Sequence, residues 1–150
     1  MRNALIAGVT AAVVLVLVAA VTAGAAPTGR SATVTTARTG LGRVVVDGRG
    51  RSLYLFEKDT RGRSACSGVC AAYWPPLLTN GRSIAIKGAK PSLLASIRRA
   101  DGSRQVSYAG HPLYFFSGDT RRGQTNGEGL QDFGAGWYVL MPSGKKIDRD

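Results

Sequence analysis

Short runs of hydrophobic residues separated by turn residues recur along most of this chain, which is the pattern of β-hairpins. Residues 43–46 form a run with three valines, residues 47–50 a turn cluster of Asp, Gly and Arg, and residues 52–57 a second apolar run. Residues 105–108 and 113–117 repeat this plan around a Gly-His-Pro turn. Because successive side chains of a strand point to opposite faces, both return strands are expected to be covered on both sides.

The return strands carry a motif that occurs twice. Residues 53–61 recur sixty positions later as residues 113–121, and the two segments share six residues with their spacing, L-Y-x-F-x-x-D-T-R. Alternation places the motif's tyrosine and phenylalanine on one face of the strand and the flanking leucines of the first copy on the other. Each copy then continues through a polar segment to a tryptophan, Trp74 or Trp137. A fixed long period of this kind indicates an internally duplicated domain.

The fold class that follows is mainly β. We expect two tandem antiparallel β repeats that form one pseudo-two-fold domain over residues 40–150, with copy one at about 41–82 and copy two at about 101–148. One short helix is predicted between the copies, over residues 91–99, because Pro91 suits the first turn of a helix and an Asp-Gly pair follows the segment.

An apolar segment precedes the predicted domain. Residues 4–21 are almost entirely Ala, Val, Leu and Ile, and no charged residue occurs between Arg2 and Arg30. Small residues follow this run, which predicts a signal peptide over residues 1–25. The alternative is an uncleaved anchor, since about 20 apolar residues can span a bilayer. Residues 26–39 are rich in Ser, Thr, Ala, Gly and Pro and are predicted to be a flexible linker. The protein is therefore expected to be exported, either extracellular or associated with the cell envelope.

The chain is strongly basic, with 20 Lys and Arg against 9 Asp and Glu, a net charge of +11 and a sequence pI of about 10.5. Basic pairs occur only at residues 98–99, 121–122 and 145–146, and scattered arginine is typical of a solvated surface. For an exported protein we expect no nucleic acid partner. Its possible anionic partners are envelope polymers or lipid headgroups, with membrane contact only through residues 4–21 if that segment is uncleaved.

Cys66 and Cys70 are the chain's two cysteines. In an exported protein an even cysteine count predicts a disulfide, worth about 2 kcal/mol for so short a loop. The alternative is a redox pair or soft-metal site.

His111 is the single histidine. A turn position is the favoured interpretation for it, and axial ligation of haem is the alternative. The sequence requires no cofactor and defines no metal site.

With these motifs the chain resembles the bacterial "secreted repeat of unknown function" family, predicted envelope lipoproteins marked by a Y-x-[FWY]-x-x-D motif. The resemblance spans about residues 41–142 and rests on the following segments: residues 54–59 and 114–119, residues 66–71, Trp74 with the two prolines after it, residues 101–106 and residues 110–114. One departure is that no cysteine for a lipid anchor lies near the predicted cleavage site. The resemblance assigns no activity and no catalytic residue.

Two further groups of residues could carry chemistry. Asp59 and Asp119, one in each copy, could meet as an acid and a base, but an aspartate that follows a strand more often fixes a turn. Residues 119–128 are rich in oxygen donors of the kind Ca²⁺ binds, yet they lack the EF-hand spacing, and a solvated loop is favoured.

The aromatic residues of the repeats leave two interpretations open. They are either the core of a small β domain or a ligand-facing surface; the set is Tyr54, Phe56, Trp74, Tyr114, Phe116 and Trp137, with Tyr138 beside it. No catalytic residue is assigned, so the leading hypothesis is an exported, non-enzymatic binding or structural module. The alternative is a redox or cofactor-carrying protein that uses Cys66, Cys70 or His111.

Overall fold

Strands dominate the structure, a computed structural model that describes residues 30–147. The described residues form nine strands: β1 Thr33–Thr39, β2 Gly42–Asp47, β3 Tyr54–Phe56, β4 Ile84–Ala85, β5 Leu94–Arg98, β6 Arg104–Tyr108, β7 His111–Pro112, β8 Gln131–Asp132 and β9 Ala135–Val139. They confirm the mainly β prediction. The predicted signal segment lies outside the described residues. No helix in the described part of the chain has the length and apolar run that crossing a bilayer requires.

Each copy opens with a hairpin that begins earlier than the sequence predicted. β1 pairs antiparallel with β2, and β5 pairs antiparallel with β6. The flexible linker predicted over residues 26–39 is therefore wrong for Thr33–Thr39, which is β1. The physical reason is that a Thr-rich run is polar in composition but favours strands through its β-branched side chains, and Val34 within it is fully buried.

The helix predicted over residues 91–99 is reduced to one 3₁₀ turn, Pro91–Leu93, and the chain continues as β5. Apolar residues at 93, 94 and 97 fit a helical spacing, but β6 offers a hydrogen-bonding partner over the whole of Leu94–Arg98. The α-helix of the structure, α1 Val69–Tyr73, lies instead inside copy one, after the positive-φ residue Gly68.

The two copies exchange strands. β3 of copy one pairs with β9 of copy two, so Tyr54 lies opposite Val139. The segments that follow the two tryptophans cross in the same way, because the Val106 amide donates to the Leu77 carbonyl at 2.9 Å and the Val45 amide donates to the Leu140 carbonyl at 2.8 Å. The segment that follows the tryptophan of each copy thus hydrogen-bonds to the first hairpin of the other copy.

Equivalent residues of the two copies meet at the centre of the molecule. The Tyr54 amide donates to the Tyr114 carbonyl at 2.9 Å, and the Tyr114 amide donates to the Tyr54 carbonyl at 3.0 Å. This reciprocal pair is what a pseudo-two-fold relation between the motifs requires. On one side of the motif strands lies an aliphatic cluster that includes Leu53 and Leu55, and on the other an aromatic cluster.

Candidate functional site

The hydroxyl group of each motif tyrosine is hydrogen-bonded to the aspartate of the other copy. Tyr54 Oη donates to Asp119 Oδ2 at 2.6 Å, and Tyr114 Oη donates to Asp59 Oδ2 at 2.8 Å. Both tyrosines are fully buried. Each copy therefore supplies one half of two crossed tyrosine–aspartate pairs, and these pairs tie the copies together next to the shared backbone contact.

The second carboxylate oxygen of each aspartate closes its own loop. Asp59 Oδ1 accepts the Ala65 amide at 2.7 Å, and Asp119 Oδ1 accepts the Asn126 amide at 2.9 Å. Within residues 30–147 no hydrogen bond joins Asp59 to Asp119. The two carboxylates are thus engaged on different tyrosines, and they do not form the acid and base pair that the sequence allowed.

Burial changes the ionisation of these groups. Burial raises the pKa of Asp59 to about 6, although its hydrogen bonds with Ala65 and Tyr114 and the charge of Arg99 act in the opposite direction. The pKa of both Tyr54 and Tyr114 is raised well above its ordinary value, first by burial and then by the neighbouring carboxylates. Both hydroxyls consequently remain protonated donors at any physiological pH.

The motif phenylalanines and the tryptophans form one continuous stack. Phe56 lies on Trp137 with ring centroids 4.0 Å apart, Trp137 on Trp74 at 3.9 Å, and Trp74 on Phe116 at 4.5 Å. Both tryptophans are fully buried. A Cβ added at Gly127 would come within 2.7 Å of the Trp74 ring, so the loop packs directly on the stack. The two tryptophans therefore have both faces covered by protein, as core residues do.

Cys66 and Cys70 are joined by a disulfide, and a buried arginine holds the loop that carries them. Arg99 Nη2 donates to the Cys66 carbonyl at 2.7 Å, while Nη1 donates to Gln105 Oε1 at 2.6 Å and to Ser64 Oγ at 3.0 Å. The sequence does not single out Arg99, because Arg98 and Arg99 together resemble an exposed basic pair. Strand alternation was the available signal, since it turns only one of two neighbours outward.

His111 lies apart from the disulfide, in a small cleft of about 230 Å³ that Asp59 and Arg61 also line. Burial and the positive charge of Arg61 lower the pKa of His111. A guanidinium at this place also opposes a metal cation. Within residues 30–147 no group of three or more His, Cys, Asp or Glu side chains could hold a metal ion.

The loop considered for Ca²⁺, residues 119–128, uses its side-chain oxygens on main-chain amides. Gln124 Oε1 accepts the amides of Thr120 and Arg121 at 2.7 and 2.8 Å. The Asp119 oxygens accept from Asn126 and Tyr54, as described above. These acceptors hold the loop together, which supports the interpretation of the segment as an ordinary structured loop.

A larger cleft lies between two sheet edges, and we call it the edge groove. One wall is residues 81–85, which contain β4, and the other is residues 94–96 of β5, with Pro91 and Arg104 completing the lining. Its volume is about 810 Å³. In the described residues β4 is paired only with β1, and β5 only with β6, so each strand is the last of its sheet.

The edge groove is positively charged. Arg82 and Arg104 line it and are exposed, and Arg104 Nη2 donates to Ser96 Oγ across β5 at 3.0 Å. None of the described residues that line the groove is acidic, and the sequence contains no Asp or Glu between residues 60 and 100. Ile84 adds an apolar side chain that is 48% exposed. The acid-free stretch is visible in the sequence, but only the fold brings Arg82 and Arg104 to the same cleft.

Comparison with known families gives two matches to a single family model. The model is described as "Secreted repeat of unknown function" and matches residues 35–78 and again residues 95–141, more than half of the chain. The two matches confirm the internal duplication and begin within β1 and β5, which places the first hairpin strand inside each repeat. No curated protein matches the chain, and no solved structure matches it either.

Proposed function

This chain belongs to the family of secreted repeats of unknown function, and from that premise we propose that it is a non-enzymatic binding module. Its ligand is an extended polyanion outside the membrane, held in the edge groove. The observation that carries the proposal is the coincidence of the largest cleft described above with Arg82 and Arg104 and with no acidic side chain.

The repeat motif supports this proposal by its location. Its tyrosines are buried, its tryptophans stack on each other, and its aspartates are bonded to the protein itself. The motif residues therefore stabilise the fold, and a ligand would bind to other residues, at the surface. A cleft suits an extended polymer better than a bilayer, because lipid headgroups present a flat layer of charge. An anionic polymer of the envelope is accordingly the favoured partner, ahead of lipid headgroups.

The proposal is tested by measuring the affinity for polyglutamate as a function of salt. We expect Arg82→Gln combined with Arg104→Gln to weaken binding about tenfold or more, as the loss of a few charge-assisted contacts predicts. The control is Arg121→Gln combined with Arg122→Gln, which removes the same charge from an exposed loop outside the groove. A loss of less than about threefold is expected there.

Equal losses in the two double variants would contradict the proposal, because attraction would then follow net charge alone. A second arm uses vesicles of phosphatidylglycerol and of phosphatidylcholine. The protein could bind the anionic vesicles in a manner that depends on Arg82 and Arg104 and yet not bind polyglutamate. In that case the ligand of the groove would be lipid headgroups and not a polymer.

A further inference from the structure

We infer that the ligand of the edge groove is an acidic polypeptide segment, which adds a β-strand between β4 and β5. The inference rests on the proposed function and deepens it, because it specifies the ligand's backbone in addition to its charge. It is argued from the hydrogen-bonding direction of the two walls.

The wall formed by β4 presents main-chain groups to the groove. The amides of Ile84 and Ile86 donate to the carbonyls of Ala32 and Val34 at 2.8 and 2.9 Å, in the direction of β1. The main chain of a strand alternates in direction, so Ala85, which lies between them, turns its N–H and C=O away from β1. Ala85 lines the groove. Its main-chain groups are therefore available to a ligand.

The wall formed by β5 does the same. The Ala109 amide donates to the Leu93 carbonyl at 2.8 Å, and the Arg99 amide donates to the Ser103 carbonyl at 2.9 Å. In an antiparallel pair only every second residue forms main-chain hydrogen bonds with the partner strand. These two hydrogen bonds show that the odd-numbered residues of β5 are the ones that hydrogen-bond to β6. Ser96 consequently directs its N–H and C=O to the open side, and it too lines the groove.

Two open strand edges that face one cleft specify an extended polypeptide. Only a peptide backbone supplies donors and acceptors to both walls at strand spacing, as in peptide recognition by strand addition. Such a strand would join the sheets β2-β1-β4 and β5-β6-β7.

The side chains of the groove define the composition of that peptide. Arg82 and Arg104 favour carboxylates, and exposed Ile84 offers an apolar contact. Since alternate side chains of a strand face opposite sides, a sequence that alternates acidic and apolar residues fits best.

The test uses a six-residue peptide of alternating valine and glutamate with blocked ends. Its control is the same peptide N-methylated at the two central amides, which keeps charge and side chains but removes donors. We expect the control to bind the intact protein about tenfold more weakly or worse. On addition of the unmethylated peptide, hydrogen exchange at the Ala85 and Ser96 amides should slow.

A pair of variants tests the protein side. Ser96→Pro and Ser96→Ala both lose the hydroxyl that Arg104 contacts, but only the proline removes the amide that faces the groove. Proline is tolerated on the open side of an edge strand. We expect Ser96→Pro to weaken peptide binding about tenfold relative to Ser96→Ala. If Ser96→Pro does not fold, the hydrogen-exchange measurement on the unaltered protein decides.

Other results would overturn the inference and can be told apart. In one such result both peptides bind equally, hydrogen exchange at Ala85 and Ser96 does not change, and binding still depends on Arg82 and Arg104. That result would exclude strand addition but would leave polyanion binding in place. Loss of all binding to the groove removes the proposed function as well. A dimer that the peptide dissociates would mean that the strand comes from a second copy of this chain.

Discussion

The aspartate five residues after each motif tyrosine accepts a hydrogen bond from the tyrosine of the other copy. Alternation along the strand correctly placed Tyr54 and Phe56 opposite Leu53 and Leu55, and the structure distributes them to the aromatic and aliphatic clusters accordingly. The crossing of the tyrosine–aspartate pairs was not predictable, because nothing local to one motif distinguishes its own aspartate from the aspartate of the second motif.

The crossed pairs can be measured with a double-mutant cycle of Tyr54→Phe and Asp119→Asn. Their hydrogen bond is 2.6 Å long and has a charged acceptor, so we expect a coupling free energy of about 1.5–3 kcal/mol in urea unfolding. The control pairs Asp119→Asn with Tyr138→Phe, whose hydroxyl contacts Gln131 at the surface. That second pair should be additive, and additivity of the first pair as well would refute the crossed contact.

The raised pKa of Asp59 predicts that the stability of the protein changes with pH in a definite direction. Its pKa is raised to about 6 in the folded protein but is about 3.9 in an unfolded chain. Between these values the folded state binds more protons, so the contribution of Asp59 to the free energy of unfolding decreases as the pH rises from about 4 to 6. Asp59→Asn, which mimics the protonated form, should gain stability relative to the wild type across this window. A difference that is constant with pH would show that Asp59 does not titrate there.

The two segments whose structure differs from the prediction, residues 26–39 and 91–99, differ for the same reason. Composition suggested a linker at 26–39, and apolar spacing suggested a helix at 91–99, yet both segments contribute a strand to the first hairpin of a copy. Strand formation depends on a partner, and for short segments the partner's hydrogen bonds outweigh local preference. Alignment of the two copies upstream of the motif, where Gly42 corresponds to Gly102 at the same offset of sixty residues, was the available signal.

Arg99 shows how an element of one copy fixes a loop of the other. It directly follows β5 of copy two, and its guanidinium reaches the Cys66 carbonyl and Ser64 of copy one. The disulfide itself closes only a short loop and constrains little of the chain. The placement of α1 and the cysteine loop against the body of the protein therefore depends on this buried arginine as well as on Cys70 and Trp74 in the aromatic cluster. An arginine is rarely buried without several acceptors, and here it has three.

The pairing of β3 with β9 joins the two copies of the duplication into one folded unit. The Leu77 carbonyl of copy one accepts the Val106 amide of copy two, and the Leu140 carbonyl of copy two accepts the Val45 amide of copy one. The Trp74–Trp137 contact lies at the middle of the aromatic stack and also joins the copies. Each hairpin sheet lies within one copy, but the sheet formed by β3, β9 and β8 and the aromatic cluster both need residues of the two copies. The repeats are therefore related by sequence but are not separate domains.

This architecture makes a prediction for the separated copies. Dividing the chain in the exposed turn between Lys87 and Gly88 would place the crossing strands, β3 and β9, on different fragments. We expect each fragment alone to lack the near-ultraviolet circular dichroism of packed tryptophan, and an equimolar mixture to recover it together with a single urea transition. The control is the full chain cut at an engineered protease site in the same turn, which should stay associated. A fragment that unfolds cooperatively by itself would contradict the exchange of strands, because a copy without its partner's strand would expose one edge and half of the stack.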